Sequence, residues 1–197
     1  MKYDVIIIGA GPGGIFSAYE LAKRRPDLKT AIFEAGHSLE KRRCPIDGEK
    51  VKTCIGCKTC AIMSGFGGAG AFSDGKYNIT NDFGGTLYEY IGKDKATKLM
   101  QYVDEINVSH GGGGTKMYST AGTEFKKSCM QNKLTLLEAS VRHLGTDINY
   151  VVLEHLYDEL KSQVDFHFDT PVDRIEILED GYRVYFGGET AENVLSL

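Results

Sequence analysis

The apolar positions at the start of this chain switch from a strand pattern to a helical one. Tyr3-Asp4-Val5-Ile6-Ile7-Ile8 is a short, mainly β-branched run, which predicts a buried parallel strand over residues 3–8. After the glycine-rich stretch 9–14, apolar side chains return at helical spacing at Ile15, Phe16, Ala18, Tyr19, Leu21 and Ala22. They predict a helix over residues 13–25 that Pro26 closes. Thr30-Ala31-Ile32-Phe33 predicts a second strand, which ends in Glu34.

From residue 36 to 85 neither period holds, and a run this long without regular structure is usually functional or wrapped around a ligand. From Thr86 the composition turns helical: Leu87, Tyr90 and Ile91 share one face. Ala96, Leu99, Met100, Val103 and Ile106 predict a second amphipathic helix. Gly111 to Gly114 reads as a flexible hinge, residues 123–132 as a short helix and residues 134–139 as a strand. Thr146-Asp147 caps a helix whose stripe holds Ile148, Val151, Val152, His155, Leu156 and Leu160, with His155 a core histidine. Strands are predicted over residues 164–168, 172–178 and 182–186, the last two joined by a turn at Asp180-Gly181.

The first 34 residues hold the clearest chemistry. Gly9-Ala10-Gly11-Pro12-Gly13-Gly14 is a G-x-G-x-x-G between a strand and a helix, with Glu34 20 positions after Gly14. Gly9 allows the tight turn, Gly11 lets the backbone approach a pyrophosphate, and Gly14 lets helix and strand pack closely. The helix N-terminus then faces the phosphates, and Glu34 can accept hydrogen bonds from an adenosine ribose.

Composition narrows the class without naming it. With 42% hydrophobic and 25% charged residues, the 197-residue chain is ordinary for a globular protein. A net charge of -4 gives no electrostatic reason to expect nucleic acid. No apolar run approaches the roughly 20 residues that span a bilayer, and Asp4 interrupts any signal-like start, so a cytoplasmic location is the expectation. The five cysteines do not make a secreted disulfide framework.

Three of them form Cys54-Ile55-Gly56-Cys57-Lys58-Thr59-Cys60, a C-x2-C-x2-C that Cys44 or Cys129 can complete to four. An iron–sulfur or zinc site, a thiol redox relay, and reduced cysteines without chemistry all stay open. In Glu40-Lys41-Arg42-Arg43, either a solvated basic turn or an arginine reaching a phosphate or adenine fits. No catalytic acid or base stands out; His37 and His143 lie at loops and read first as solvated.

The N-terminal fingerprint, with Ala18 and Leu21 in its helix and Glu34 at its end, resembles the glutathione-reductase-like flavoproteins. Arg43-Cys44-Pro45, the spaced cysteines and the run Gly67-Gly68-Ala69-Gly70-Ala71-Phe72-Ser73-Asp74-Gly75-Lys76 resemble, more narrowly, a bacterial group of FAD-dependent dehydrogenases. The resemblance implies an α/β fold: a Rossmann-like FAD/NAD(P)-binding domain over residues 1–197, with a parallel sheet and a β-meander. Residues 36–85 would wrap the cofactor and residues 86–132 form a helical insertion. FAD is the implied cofactor. Gly9, Gly11, Pro12, Gly13 and Gly14 would line its pyrophosphate, and Glu34 and Ala35 its ribose. The backbone of Val172 would meet adenine, and Gly68, Ala69, Ser73, Asp74 and Lys76 the flavin side. Family members continue past the meander with a further strand, and this chain stops at 193–197, so it reads as an N-terminal portion. The expected activity is that of an FAD-dependent oxidoreductase with a small-molecule substrate. An NAD-binding dehydrogenase domain and a non-catalytic nucleotide-binding fragment are the alternatives.

Overall fold

The computed structural model describes residues 1–194, so the expected break at 193–197 falls mostly outside the described residues. In chain order the first elements are β1 (Lys2–Tyr3), β2 (Val5–Ile8), α1 (Pro12–Arg24), β3 (Thr30–Phe33) and β4 (Lys76–Ile79). Next come α2 (Leu87–Ile91), α3 (Lys93–Ser109), β5 (Met117–Ser119), α4 (Phe125–Gln131), β6 (Ser140–His143) and α5 (Gly145–Leu160). The chain closes with β7 (Val164–His167), β8 (Arg174–Leu178), β9 (Gly181–Phe186) and β10 (Glu189–Val194). Two compact units result: Met1–Phe72 with Leu153–Leu197, and Ser73–Val152.

The first unit holds a parallel sheet in the order β2-β3-β7, with Ile7 opposite Ile32 and Ile32 opposite Phe166. All four residues of β3 are buried, as a central parallel strand requires. Its second sheet has the order β1-β10-β9-β8; β8, β9 and β10 form an antiparallel meander, and β1 joins β10 in parallel. The run 3–8 is therefore two strands. Asp4 divides it: its backbone N–H donates to Lys29 O at 2.9 Å while its Oδ2 accepts from Lys29 N–H at 2.7 Å. Tyr3 thereby enters a core with Ala31, Phe33, Val184, Phe186 and Ala191, while Val5 starts the parallel sheet. A second aromatic cluster joins Phe66, Tyr157, Phe166 and Phe168, with the last two stacked at 5.6 Å.

The second unit is an antiparallel sheet in the order β4-β6-β5, with α3 against β4. Asp104 of α3 and Arg142 of β6 form a bidentate pair at 2.7 and 2.9 Å, and Arg142 Nη1 also donates to Thr115 O at 2.5 Å. This unit begins at Ser73, earlier than the helical insertion expected at 86, and runs beyond 132 to take in β6 and the first turns of α5.

Several expectations need correcting. Residues 36–85 do hold one strand, β4, whose pattern of exposed and half-buried positions has too little apolar content to read as one. The strand expected over 134–139 lies further on, at β6. Gly112–Gly114 is a turn of 3-10 helix rather than a hinge: a Cβ on buried Gly112 would lie 2.9 Å from Asn107 O. His155 is exposed, on the outer side of α5. The third meander strand, β10, was not expected, because Glu189, Thr190, Glu192 and Asn193 mask a strand in which Ala191 packs into the core.

Candidate functional site

The G-x-G-x-x-G turn runs from the end of β2 into α1, as its sequence context requires. Gly9 has φ +98°, and its N–H donates to Phe33 O at 2.7 Å, which ties the turn to the neighbouring strand. A Cβ on Gly14 would sit 2.0 Å from Gly9 O, so this position admits no side chain while the turn keeps its shape. At Gly11 and Gly13, by contrast, a Cβ would meet nothing within 4 Å. Their faces are open, and they border the start of α1.

The helix start is prepared for a negative group. Gly11 is its N-cap and gives no side-chain cap, Pro12 occupies the first turn, and that turn holds no acid. Lys23 and Arg24 stand in the last turn, so no acid within α1 itself compensates its positive end.

Glu34 is 7% exposed. Its Oε2 accepts from Ala10 N–H at 2.7 Å, and its Oε1 accepts from Gly36 N–H at 2.8 Å and Gly65 N–H at 2.9 Å. The acid thus fastens three backbone segments together, a role its spacing alone did not reveal. Gly67 N–H donates to Ala10 O at 2.8 Å, and Phe66 N–H donates to His37 O at 3.1 Å. Residues 65–68 therefore fold back over the turn that starts at Gly9. The approach is close enough that a Cβ on Gly36 would lie 2.4 Å from Gly65 N. The sequence signal for this layer was the glycine density around Phe66.

Arg42 corrects an expectation. It is 4% exposed, and its guanidinium donates to Ala61 O, Ile62 O, Phe66 O and Gly68 O at 2.6–2.9 Å. Four of its five N–H groups thus bind carbonyls of residues 61–68, and the ring of Phe72 lies under its head at 4.8 Å. Burial pushes this guanidinium below its ordinary value, with the charges of Glu34 and Cys60 opposing the shift. It is a scaffold side chain rather than a phosphate contact. Arg43 and Ala35 are exposed, while Gly68 lies beside Gly11 and is followed by exposed Ala69. Val172 is half-buried against the Tyr3–Phe33 core.

Ser73, Asp74 and Lys76 belong to the second unit. There Lys76 Nζ pairs with Asp74 Oδ2 at 2.7 Å, and His143 Nε2 lies 3.7 Å from the same oxygen. The hydrogen bond from Lys76 holds the Asp74 carboxyl below its usual range. Ser73 Oγ accepts from Gly75 N–H at 3.2 Å. His37 pairs with Asp169. All five cysteines are free, with Cys44, Cys54 and Cys57 exposed. Among the described residues, no group of three or more His, Cys, Asp or Glu side chains stands ready to hold a metal ion. No helix among them is long and apolar enough to cross a membrane.

Comparison with known proteins agrees with this geometry. Residues 1–40, from β1 through the turn after Glu34, match the Thi4 family. The thiamine thiazole synthase of Yarrowia lipolytica is 70% identical over 33 residues, 17% of this chain and 10% of that protein. An uncharacterised protein of Clostridium beijerinckii is 26% identical over 152 residues, 76% of this chain and 25% of that protein. Among solved structures, glycine oxidase from Geobacillus kaustophilus superposes with a TM-score of 0.52 at 18% identity, over 97% of this chain and 53% of that one. The 3-ketosteroid-delta4-(5alpha)-dehydrogenase from Rhodococcus jostii gives 0.53 at 13% identity, over 97% and 43%. The chain therefore shares the fold of these two solved structures over nearly its whole length. It spans a tenth to a quarter of the length of these curated relatives and about half of the solved structures.

Proposed function

We propose that this chain holds FAD and forms the cofactor-binding portion of a flavin-dependent oxidoreductase acting on a small molecule. The observation that carries the reading is the cradle at the start of α1: open faces at Gly11 and Gly13, no acid in the first turn, and Glu34 hydrogen-bonded into the same turn. Gly11, Pro12, Gly13 and Gly14 would hold the pyrophosphate through the helix N-terminus. Glu34 would offer a remaining lone pair to the ribose, next to Ala35, and the backbone of half-buried Val172 would border adenine. Exposed Arg43 is the arginine left free to reach a phosphate. The pattern Gly68-Ala69 through Ser73, Asp74 and Lys76 supports a role for those residues at the flavin end.

Bound FAD would supply the electron and hydride chemistry, while the chain supplies binding, orientation and shelter from water. The names of the two solved neighbours, an oxidase and a dehydrogenase, support oxidoreduction. Five free thiols support a reducing, cytoplasmic setting.

The test is an anaerobic visible spectrum of the purified chain after incubation with FAD and gel filtration. Flavin bands that travel with the protein, and are lost in Gly13→Val, are expected. A chain that retains no flavin, or that retains NAD in its place, overturns the reading.

A further inference from the structure

The basic turn and the cysteine run, which the dinucleotide cradle does not absorb, are joined by one side chain. Arg42 Nε donates to Ala61 O at 2.9 Å and its Nη2 donates to Ile62 O at 2.7 Å. These bonds close residues 43–60 into a single loop whose two ends meet at a buried guanidinium. Cys44 stands two positions past one end of that closure, and Cys60 stands one position before the other. Cys54 and Cys57 lie on the same loop. Four of the five thiols of the chain are thus confined to one stapled segment, although Cys44 and Cys60 are 16 positions apart in sequence.

The loop has no other evident reason for its form. Residues 43–60 contain no helix or strand, and none of them is buried. Its two isoleucines face water, with Ile46 41% and Ile55 62% exposed. A segment this long without regular structure, closed at its base and largely exposed, is usually functional or a linker, and the closure at Arg42 argues against a linker. Its interior already contains one local turn: Asp47 Oδ1 accepts from the N–H groups of Glu49, Lys50 and Val51 at 2.8–2.9 Å. That turn lies in sequence between Cys44 and the other three cysteines.

We propose that Cys44, Cys54, Cys57 and Cys60 form a four-thiolate site for an iron–sulfur cluster. The choice of cluster over a single zinc ion rests on spacing. C-x2-C-x2-C places three thiolates within seven residues, the arrangement that wraps one face of a four-iron cluster, and leaves the fourth ligand to come from elsewhere in the chain. Zinc sites more often use two separated pairs. Gly56, at φ +65°, allows the chain to turn between Cys54 and Cys57. Among the described residues no three of these thiols stand together as a ligand set. Loading therefore draws the loop closed, each thiol releasing its proton to solvent as its sulfur bonds to iron; with ferrous and ferric iron supplied in equal amounts, neither sulfur nor iron changes its oxidation state. Cys129, in the second unit, takes no part.

The experiment is an assay of iron, zinc and acid-labile sulfide on the whole chain. The chain is purified without oxygen, then incubated with equal amounts of ferrous and ferric iron and with sulfide, and desalted. Roughly four irons and four sulfides per chain are expected. Both should fall to background in Cys57→Ser/Cys60→Ser and stay unchanged in Cys129→Ser. Cys57 is exposed and Cys60 half-buried, serine is close to cysteine in size, and circular dichroism of the double variant establishes that it is folded. Wild-type chain without iron and sulfide, zinc in their place, or a folded double variant that keeps both overturns the proposal. Chemical assay of iron and sulfide does not depend on whether flavin is bound, so this result and that of the FAD test are read separately.

Discussion

The backbone N–H of Ala10 donates to Glu34 Oε2 at 2.7 Å, so the acid that ends β3 and the glycine turn that ends β2 form one hydrogen-bonded unit. With Gly36 and Gly65 on Oε1, three of the roughly four lone-pair positions of the carboxylate are filled by the protein itself. Glu34 is thus a structural strut first, and any ribose hydroxyl would join an existing network. Glu34→Gln keeps the shape but aims an amide N–H₂ at one or more backbone donors. We expect it to lower the unfolding free energy by roughly 2–4 kcal/mol, read from urea denaturation. An unchanged midpoint would show that water satisfies these donors just as well.

Gly13 and Gly14 are adjacent, and the structure gives them opposite requirements. At Gly14 a methyl group would lie 2.0 Å from Gly9 O, which forces helix and turn apart. Gly14→Ala should therefore lower both stability and FAD retention. At Gly13 the methyl group points into open space within α1, where alanine is favoured over glycine by roughly 0.5–1 kcal/mol. Gly13→Ala should match or exceed the wild-type melting temperature while retaining less FAD. Loss of stability without loss of flavin at Gly13 would place the phosphates elsewhere.

The second unit depends on the pair between Asp104 and Arg142, whose side chains are only 10% and 12% exposed. The pair fixes α3 to the sheet, and the Arg142 bond to Thr115 O extends the link toward β5. Asp104→Asn leaves a nearly buried guanidinium without its counter-charge, which costs about 3–5 kcal/mol for a buried pair. Replacing both residues, as Asp104→Leu with Arg142→Met, should recover much of that loss. Thermal melts of the single and double variants decide it, and a double variant no better than the single would indicate that the geometry of the pair holds the sheet.

The parallel strands, α1 and α5 were legible because each repeats an apolar period over a full element. The turn was legible because glycine spacing and Glu34 both have a fixed geometric meaning. What escaped had weak or misleading periods. Residues 3–8 read as one strand, yet Asp4 divides two, since its bonds to Lys29 are long-range and leave no local trace. β10 was hidden because four of its six residues are polar and each face carries a single apolar position. Arg42 reads from its neighbours as part of a basic surface turn, and only the fold shows four carbonyls converging on it. A buried arginine that serves backbone carbonyls has no sequence signature, because its partners are peptide groups common to every residue.

His167 offers a test of the first unit through pH. Its ring stacks on Phe33 at 4.5 Å, and its Nε2 is 2.9 Å from the Tyr3 hydroxyl. Burial holds its pKa below the ordinary imidazole value of 6.5; Lys29 adds to that effect, while Asp165 and Glu189 oppose it. The unfolded chain therefore takes up a proton first as pH falls. The stabilising contribution is complete above about 6.5 and is lost as pH drops through the lower, folded value. Urea midpoints measured from pH 7.5 down to 5 should decline. His167→Phe keeps a flat ring against Phe33 but removes the titrating group, so its decline should be shallower than that of the wild type. Carboxylates titrate at the lower end of this range in both proteins, which makes the difference between the two curves the quantity to read. Parallel curves would mean that the His167 ring is hydrated in the folded chain and that the Tyr3–Phe33 core does not exclude water from it.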